Sequence, residues 1–522
     1  MHVGTGSNPG RGRGWRVGMV AGVLLALALA GCAEGGSPQV GTSELVTEEE
    51  PLVRMHEGPS VLLDADDPDT AYLADVDLAN GTCEFAVSTD GGDTWEERPA
   101  PELEPFTDCG YGAANPKNIR TQLDQGPDGT LFSVFHAQDP DAGGSRSVLL
   151  GRSSDQGQSW DTSLVYSPGD AREGEDIEVN FVPHVAVDPD DPERVVVVWR
   201  RSFQAAGEED APPSRPFLAW SDDGGETFGE PFMMLDEDLG FEAPKLRIVD
   251  GRLFAFYRLR PEGDGVDNEV VAAVSDDDGE TWEPTTIASA GDVSEPVVAH
   301  DPQAGVFHLV WHDNSNEELD AFYASSSDGL TWSEPVRLND DAEGNRIGQF
   351  YPVVAVAPDG RVDAAWYDYR DDPYPAPTPP EDGELNLFNN MGQHQSVYAT
   401  SSMDGGQTWL PNLQVSDVRI DRTFGPWDLN FFTQVPPAIA SGPDGALVAW
   451  SDTRLGDATT GTQDIAAARL TFDGGSNRVP LAMLTGLSGV LLGAGLATVI
   501  GAVALRRRTG GSAPGGSRST TD

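Results

Sequence analysis

The sequence has few basic residues, and this scarcity excludes one class of partner. Its 522 residues include 32 Lys and Arg against 86 Asp and Glu, a formal net charge of -54 at pH 7. A surface of this sign repels the phosphates of DNA and RNA, so no nucleic-acid partner is expected. Acidic residues spread along the whole chain are instead typical of a solvated, extracellular-type surface.

Cysteine and histidine are also scarce, which leaves little support for metal or triad chemistry. None of the 3 Cys has the spacing of a zinc site, and the 8 His are scattered. Neither a Ser-His-Asp order nor a phosphate-binding loop stands out. No metal site or cofactor is predicted. The acidic loops offer oxygen ligands for Ca²⁺, but no run matches a full Ca²⁺-loop signature.

The N-terminal end has the pattern of an export signal over residues 1–31. Arg11, Arg13 and Arg16 precede an apolar run that ends at Leu29-Ala30-Gly31-Cys32. This end resembles a bacterial lipobox, and the resemblance implies cleavage before Cys32 and lipidation of its sulfur. The alternative is an ordinary signal peptide in which Cys32 is incidental.

The C-terminal end contains an uncharged apolar run over residues 479–505, followed by Arg506-Arg507-Arg508. At ~1.5 Å per helical residue this run is long enough to cross a hydrocarbon core of ~30 Å. The sequence therefore predicts a transmembrane helix and a cytoplasmic tail over 506–522. The body would lie on the extracytoplasmic side of the cell membrane, where Cys83 and Cys109 are predicted to form a disulfide.

The body shows short β-type runs broken by Gly, Pro, Asp and Asn, and one phrase occurs in it six times. The copies are STDGGDTW from Ser88, SSDQGQSW from Ser153, SDDGGETF from Ser221, SDDDGETW from Ser275, SSDGLTW from Ser326 and SMDGGQTW from Ser402. Two strands joined by a tight turn precede each copy, and a seventh unit lacks the phrase. The units start at Gly58, Asn115, Val182, Ala243, Glu295, Tyr351 and Pro437.

Each unit has the length of a four-stranded meander, with strands A to D in chain order, and such a repeat predicts a β-propeller. We expect an all-β, seven-bladed ring of antiparallel blades over residues 55–475, with six blades and a partial unit as the alternative. The seventh unit lacks an outer strand. The segment Thr42 to Val53, within an N-terminal linker over 32–54, could supply that strand and close the ring.

The phrase resembles the Asp-box, or BNR repeat, of sialidase-like propellers, which implies that it forms the turn between strands C and D. Its Asp accepts backbone N–H groups, its Gly supplies a positive φ and its Trp packs between sheets. The six Asp are therefore predicted to be structural: Asp90, Asp155, Asp223, Asp277, Asp328 and Asp404.

Antiparallel alternation places the B–C loops, the D–A crossings and the starts of the inner strands on the face opposite the Asp-boxes. Ligand sites are expected there, at the mouth of the central channel. The candidate catalytic residues are Glu57, Glu242, Glu295 and Tyr351. The candidate ligand-binding residues are Lys117, Asn180, Arg200, Arg258, Asp368, Arg370, Asp452 and Arg454.

Two further features of this face have open interpretations. The pattern Trp-x-Asp-x-Arg occurs at Trp366 and at Trp450, and its Asp and Arg could form local ion pairs or clamp a ligand anion. The long B–C loop over residues 369–396 could be a lid, a binding arm or a surface insertion.

Resemblance to sialidases would imply an Arg-Ile-Pro motif on the first inner strand, but Glu57 stands two residues before Pro59. Standard sialidase catalysis is therefore not expected. We predict a membrane-anchored, extracytoplasmic propeller that binds a glycan or an envelope protein. One alternative is an exo-acting glycoside hydrolase that uses paired carboxylates. The other is a scaffold of the cell envelope.

Overall fold

A computed structural model of the chain describes residues 38–47, 54–106, 109, 121–138, 145–168, 177–204, 214–236, 244–261, 265–316, 318–372, 394–423, 435–457 and 460–472. The predicted signal peptide, Cys32, the transmembrane helix over 479–505 and the cytoplasmic tail lie outside the described residues. Within the described ranges, no helix is long and apolar enough to cross a bilayer.

The described strands form seven antiparallel sheets, each of which is one blade. Blade 1 contains β3 (His56–Leu63), β4 (Ala71–Asp77), β5 (Thr82–Ser88) and β6 (Glu96–Arg98). Blade 2 contains β7 (Gln122–Gln125), β8 (Leu131–Gln138), β9 (Arg146–Ser153) and β10 (Asp161–Tyr166). Blade 3 contains β11 (Ile177–Asp188), β12 (Asp191–Gln204), β13 (Arg215–Ser221) and β14 (Phe232–Met233).

The next three blades repeat this order. Blade 4 contains β15 (Lys245–Val249), β16 (Arg252–Leu259), β17 (Asn268–Ser275) and β18 (Glu283–Ala290). Blade 5 contains β19 (Val297–Asp301), β20 (Val306–Asp313), β21 (Asp320–Ser326) and β22 (Val336–Arg337). Blade 6 contains β23 (Gln349–Val356), β24 (Val362–Asp368), β25 (His394–Ser402), β26 (Leu413–Gln414) and β27 (Ile420–Asp421).

The seventh blade combines both ends of the propeller. Its inner strands are β28 (Ala438–Gly442), β29 (Gly445–Asp452) and β30 (Asp464–Phe472). Its outer edge is β1 (Pro38–Val40) and β2 (Glu44–Leu45), and both strands pair with β30. The outer strand was expected between Thr42 and Val53, whereas its pairing begins at Pro38. The structure is therefore a seven-bladed ring, and the six-bladed alternative is wrong.

Apolar side chains fill every contact between neighbouring blades. Seven buried clusters each combine residues from two adjacent blades, and the one between blades 7 and 1 includes Leu73 and Leu447. The valine-rich and aromatic strands alternate their side chains between the two faces of each blade, so each sheet contributes to two clusters. The core is thus continuous around the ring.

All six Asp-boxes form the turn between strands C and D. In the first, the Ser88 hydroxyl donates to Asp90 Oδ1 at 2.8 Å and accepts from Gly92 N at 2.8 Å. Asp90 also accepts from the backbone and the hydroxyl of Thr94, at 2.8 and 2.7 Å. In the second box, the equivalent bonds from Ser159 lower the pKa of Asp155 to about 2. The carboxylates are engaged within their own turns.

The glycine of each box also contacts the preceding blade. Gly157 has a φ of +78°, and a Cβ built there would lie 2.1 Å from Cε1 of Phe85 in blade 1. Trp160, which ends the same box, packs edge-on against Phe85 with ring centroids 5.1 Å apart. The repeated phrase is therefore both a hairpin turn and a joint between blades.

A disulfide joins strand β5 to the connection between blades 1 and 2. Cys83 and Cys109 are bonded to one another, with their Cα atoms 5.3 Å apart. The bond lies on the face opposite the Asp-boxes, because Cys83 is at the start of strand C in its blade.

Candidate functional site

The inner strands of blades 1, 3 and 6 share an unusual bulge at the channel mouth. In each strand the register shifts around a proline, and the residue before that proline has a positive φ. These residues are Gly58 at +71°, Val182 at +45° and Tyr351 at +51°. A positive φ is strained for Val and Tyr, and strain of this kind is concentrated at binding and catalytic sites.

A cluster of polar side chains forms where blades 4, 5 and 6 meet on this face, and we call it the mouth cluster. Its members are Arg258, Asp292, Glu295, His312 and Tyr351. Arg258 ends the second strand of blade 4 and forms an ion pair with Glu295 at 2.6 Å. Its other nitrogen Nη1 donates to the carbonyl of Val293 at 3.0 Å. Two of the sequence-predicted candidates are thus joined directly.

Asp292 belongs to the crossing that leads from blade 4 to blade 5. Its backbone N–H donates to Asn314 Oδ1 at 2.9 Å, and the Asn314 backbone N–H donates to the Asp292 carbonyl at 3.2 Å. The pKa of Asp292 is raised to about 6. Burial is the main cause, the charge of Glu295 adds to it, and the charge of Arg258 opposes it. Asp292 is therefore partly protonated near neutral pH.

His312 bonds both to Ser294 of the crossing and to Tyr351. Burial, together with the positive charge of Arg258, lowers the pKa of His312 to about 3, so its imidazole is neutral. The backbone N–H of Tyr351 donates to His312 Nδ1 at 2.9 Å, which places the imidazole proton on Nε2. The two rings pack edge to face with centroids 5.1 Å apart.

The mouth cluster therefore offers a carboxyl group that is partly protonated near pH 6, a carboxylate paired with a guanidinium, and an aromatic ring. The crossing is held rigidly, because Ser294 N donates to the His312 carbonyl and His312 N donates to the Ser294 hydroxyl, each at 2.9 Å. A carboxyl group of raised pKa near a carboxylate paired with a guanidinium is suited to acid–base chemistry at a glycosidic bond.

Glu57 lies on the first inner strand, apart from the mouth cluster, and is only 1% exposed. The Tyr367 hydroxyl is buried on blade 6. Burial raises the pKa of Tyr367, a bond with the backbone of Ser451 lowers it, and the charge of Glu57 raises it. Glu57 therefore faces the junction of blades 6, 7 and 1 rather than the pair formed by Asp292 and Glu295.

The two Trp-x-Asp-x-Arg patterns have the geometry of local ion pairs. Arg370 contacts Asp368 at 2.8 Å and Asp340 at 2.7 Å, and its guanidinium stacks on the Tyr398 ring. Trp366 Nε1 donates to Asp368 at 3.0 Å, so the carboxylate is held from two sides.

The same arrangement occurs in blade 7. Trp450 Nε1 donates to Asp452 at 3.0 Å, and Arg454 contacts that carboxylate at 2.9 Å. Arg454 also donates to the Ser43 hydroxyl at 2.7 Å and so ties the N-terminal edge to the blade. In both blades these bonds lock the end of the second strand.

Two other candidates are held by their own neighbours. Asn180 is fully buried and donates to the carbonyl of Arg146 at 2.6 Å. Arg200 donates to the Ser214 hydroxyl at 2.8 Å. Glu242, Lys117 and most of the loop over 369–396 lie outside the described residues. Among the residues that the structure describes, no group of three or more His, Cys, Asp or Glu could hold a metal ion.

Sequence reasoning missed Asp292 and His312 as members of the site. Neither follows the Trp-x-Asp-x-Arg pattern or begins an inner strand. The one available signal was position, because Asp292 lies in a D–A crossing, and such crossings were expected on the functional face.

The chain matches no protein-family model, and no curated protein is similar to it. Among solved structures, a GH93 α-L-arabinofuranosidase of Fusarium graminearum is 13% identical, with 63% of this chain and 93% of that chain covered and a TM-score of 0.43. A Penicillium chrysogenum α-L-arabinanase is 14% identical, with 83% and 98% covered and a TM-score of 0.41. Trypanosoma rangeli sialidase is 12% identical, with 83% and 59% covered and a TM-score of 0.41.

Similarity at this level concerns the fold alone and carries no information on the substrate of this chain. The fold itself is defined by the seven four-stranded sheets and the six Asp-box turns between strands C and D. The chain folds as a sialidase-like Asp-box propeller, as its repeats predict.

Proposed function

We propose that the mouth cluster binds an oligosaccharide and hydrolyses a glycosidic bond, with Asp292 as the general acid and Glu295 as the second carboxylate. The observation that carries this proposal is the raised pKa of Asp292, about 6, beside a carboxylate paired with Arg258. Non-catalytic binding was the first interpretation of the sequence. The raised pKa of Asp292 and the pairing of Glu295 with Arg258 favour the glycoside hydrolase instead.

The chemistry requires a proton and a water molecule. Asp292 gives its proton to the glycosidic oxygen as the bond from that oxygen to the anomeric carbon breaks. Glu295, with its negative charge balanced by Arg258, stabilises the positive charge that develops on the sugar ring. A water molecule then adds to the anomeric carbon, and its proton returns to a carboxylate of the pair. Tyr351 offers an aromatic face against which a sugar ring can pack.

The test is a screen of chromogenic glycosides, including α-L-arabinofuranosides, with purified full-length protein. We expect turnover that falls at least ~100-fold in Asp292→Asn and in Glu295→Gln. Glu283→Gln is the matched control, because Glu283 is an exposed carboxylate on strand β18 of blade 4 and has no part in the mouth cluster. Turnover that survives in both cluster variants would contradict the proposal.

A second candidate function, glycan binding without turnover, is favoured by the bonds around Arg258. This guanidinium donates to Val293 O and contacts Glu295, so the carboxylate is held in place rather than left available for reaction. Saturable binding of an oligosaccharide on a glycan array, with no hydrolysis of the same compound, would select this candidate. Silence in both assays would direct attention to an envelope-protein partner or a scaffold.

We also propose that the propeller is exported and attached to the extracytoplasmic side of the cell membrane, by lipid on Cys32 and by a helix over 479–505. The lipobox-like stretch and the uncharged run before Arg506 support this proposal. In the expressing cell, Cys32→Ala should lose incorporation of labelled fatty acid. Removal of residues 479–522 together with Cys32→Ala should release the protein from the membrane fraction. Retention of the double variant would contradict it.

A further inference from the structure

A second site lies away from the mouth cluster, where blade 7 meets blade 1. A cavity of ≈ 120 Å³ there is covered on one side by Val46 and Thr47, which follow the N-terminal edge strand β2. Its other walls come from all four strands of blade 1, including His56, Asp75 and Trp95. No residue of the cavity belongs to the mouth cluster.

The charge of the cavity is negative after its internal pairs are counted. Arg54 is paired with Asp464 at 2.5 Å, and His56 is paired with Asp75 at 2.6 Å. Three further carboxylates line the cavity, and none of them forms a salt bridge among the described residues: Asp77, Glu84 and Glu97. Burial raises the pKa of Glu84, and the neighbouring charge of Asp75 raises it further against the opposing bond from Thr82. A bound cation would relieve this repulsion.

Two polar atoms of the walls lack partners among the described residues. Asp75 is 1% exposed, and its Oδ1 has no hydrogen-bond partner. The buried Nε1 of Trp95 also has none. The equivalent Trp282 and Trp332 donate to the carbonyl of the glycine three residues earlier, at 3.0 and 3.1 Å, whereas Nε1 of the equivalent Trp409 is unpaired like that of Trp95. A buried acceptor and a buried donor left unpaired are costly unless a ligand satisfies both.

We propose that this cavity binds a hydroxylated primary ammonium, in which the ammonium group contacts Asp75 and Glu84 and an oxygen accepts from Trp95 Nε1. The ammonium donates up to three hydrogen bonds, which suits Asp75 Oδ1 and the nearby carboxylates. The apolar carbons of the ligand pack on Trp95 and Phe85, and the indole ring adds a cation–π contribution. A metal ion is disfavoured because the described residues include no group able to hold one.

The first experiment compares two small probes by isothermal titration calorimetry with the full-length protein. Ethanolamine carries the ammonium, whereas ethylene glycol replaces it with a hydroxyl at nearly the same size. We expect saturable binding of ethanolamine with a Kd on the order of 1 mM, given the small number of atoms, and no binding of the glycol at the same concentrations. Equal binding of ethanolamine and ethylene glycol, or no saturable binding of ethanolamine, would overturn the proposal.

Three variants test whether ethanolamine binds in the cavity. Glu84→Gln should weaken ethanolamine at least about tenfold, because it removes a charge-assisted contact. Trp95→Phe keeps the packing but removes the Nε1 donor, and it should also weaken binding. Glu96→Gln is the control, because Glu96 neighbours Glu97 on strand β6 but has a side chain that is 74% exposed and outside the cavity. Unchanged affinity in a folded Glu84→Gln protein would overturn the assignment.

A second comparison tests which class of compound carries the ammonium group that binds. Glucosamine and glucose differ by the same exchange of ammonium for hydroxyl. Binding of glucosamine without glucose would extend the ligand class to amino sugars. Binding of ethanolamine alone would restrict it to small amino alcohols, and either result supports the cavity as an ammonium site.

Discussion

At single residues, protonation in this protein depends on which charged groups surround a buried side chain. Asp292 and His312 both lie within the electrostatic influence of Arg258, yet the pKa of Asp292 is raised to about 6 and that of His312 is lowered to about 3. Burial opposes the charged form of each group, which for a carboxyl means the deprotonated form and for an imidazole the protonated form. The same environment therefore shifts their pKa values in opposite directions.

The first prediction concerns the pH dependence of hydrolysis. If Asp292 is the general acid, kcat/KM should fall as pH rises through about 6, because the deprotonated carboxyl cannot donate. The measurement is kcat/KM from pH 4 to 9 with a glycoside found in the screen. Asp292→Asn should remove this basic limb along with most of the activity. A limb that stays near 6 in Asp292→Asn would assign it to another group.

The second prediction concerns the stability contributed by His56. Burial lowers the pKa of His56, but Asp75 at 2.6 Å, with Asp77 and Glu84, raises it to about 8 from an unfolded value of 6.5. The protonated imidazole is favoured in the folded state, so its contribution is complete below 6.5 and is lost as pH rises through about 8. The loss should amount to ~2 kcal/mol.

Urea unfolding of wild type and His56→Gln between pH 6 and 9 measures this contribution. The difference between the two free energies of unfolding should shrink by ~2 kcal/mol across that range. A difference that stays constant would show that His56 is neutral in the folded protein.

At this scale the sequence predicted part of the mouth cluster, whose function is a proposal. It singled out Arg258, Glu295 and Tyr351 because strand ends and strand starts meet at the channel mouth, and the structure brings these three together. Asp292 and His312 could not be found in that way. Their roles depend on how the D–A crossing folds back on strand β20, and that contact has no pattern in the sequence.

Among the elements, the hairpin that carries the Asp-box is where local and long-range structure coincide. Its Ser, Asp and Thr bond only within the turn, whereas its Gly and Trp contact the preceding blade. The turn was predictable because its chemistry is local and occurs six times. The inter-blade contact of the glycine was not, because it depends on the residue that the neighbouring sheet presents.

The third prediction separates these two roles with a pair of glycines. Gly157 and Gly129 both have positive φ, at +78° and +84°, but only Gly157 would place a Cβ against a neighbour, Phe85. Gly129→Ala should cost ~1 kcal/mol for the backbone alone. Gly157→Ala should cost ~1–3 kcal/mol more, because Phe85 must move. Equal losses of unfolding free energy in the two variants, measured in urea, would mean that Phe85 moves aside without an energetic cost.

For the whole molecule, stability depends on a ring closed by the two ends of the propeller. Strands β1 and β2 complete the sheet of β30, and Leu45 packs against the cluster shared by blades 6 and 7. Seven units were predictable from the repeats. The position of the closing strand was less so, because the segment has no Asp-box and short strands carry little pattern.

The fourth prediction is that weakening this edge destabilises the ring as a whole. Leu45→Asp should lower the free energy of unfolding by ~1–2 kcal/mol, because a charge replaces a partly buried apolar side chain. Glu44→Gln changes the exposed neighbour in the same strand and should have little effect. Calorimetry should show one transition at a lower Tm for Leu45→Asp. A separate early transition would mean that blade 7 unfolds alone.

The two ends of the propeller meet in the ladder between strands β1 and β30, which closes the ring. Pro38 pairs with Phe472 and Val40 with Leu470, so the chain enters and leaves the ring at adjacent residues of one blade. The two proposed anchors, lipid on Cys32 and the helix over 479–505, would therefore attach to the chain beyond the two ends of the same short ladder. Blade 4, which carries Arg258, is opposite that corner in the circular order. The mouth cluster extends from there to Tyr351 on blade 6, which is the neighbour of the closing blade.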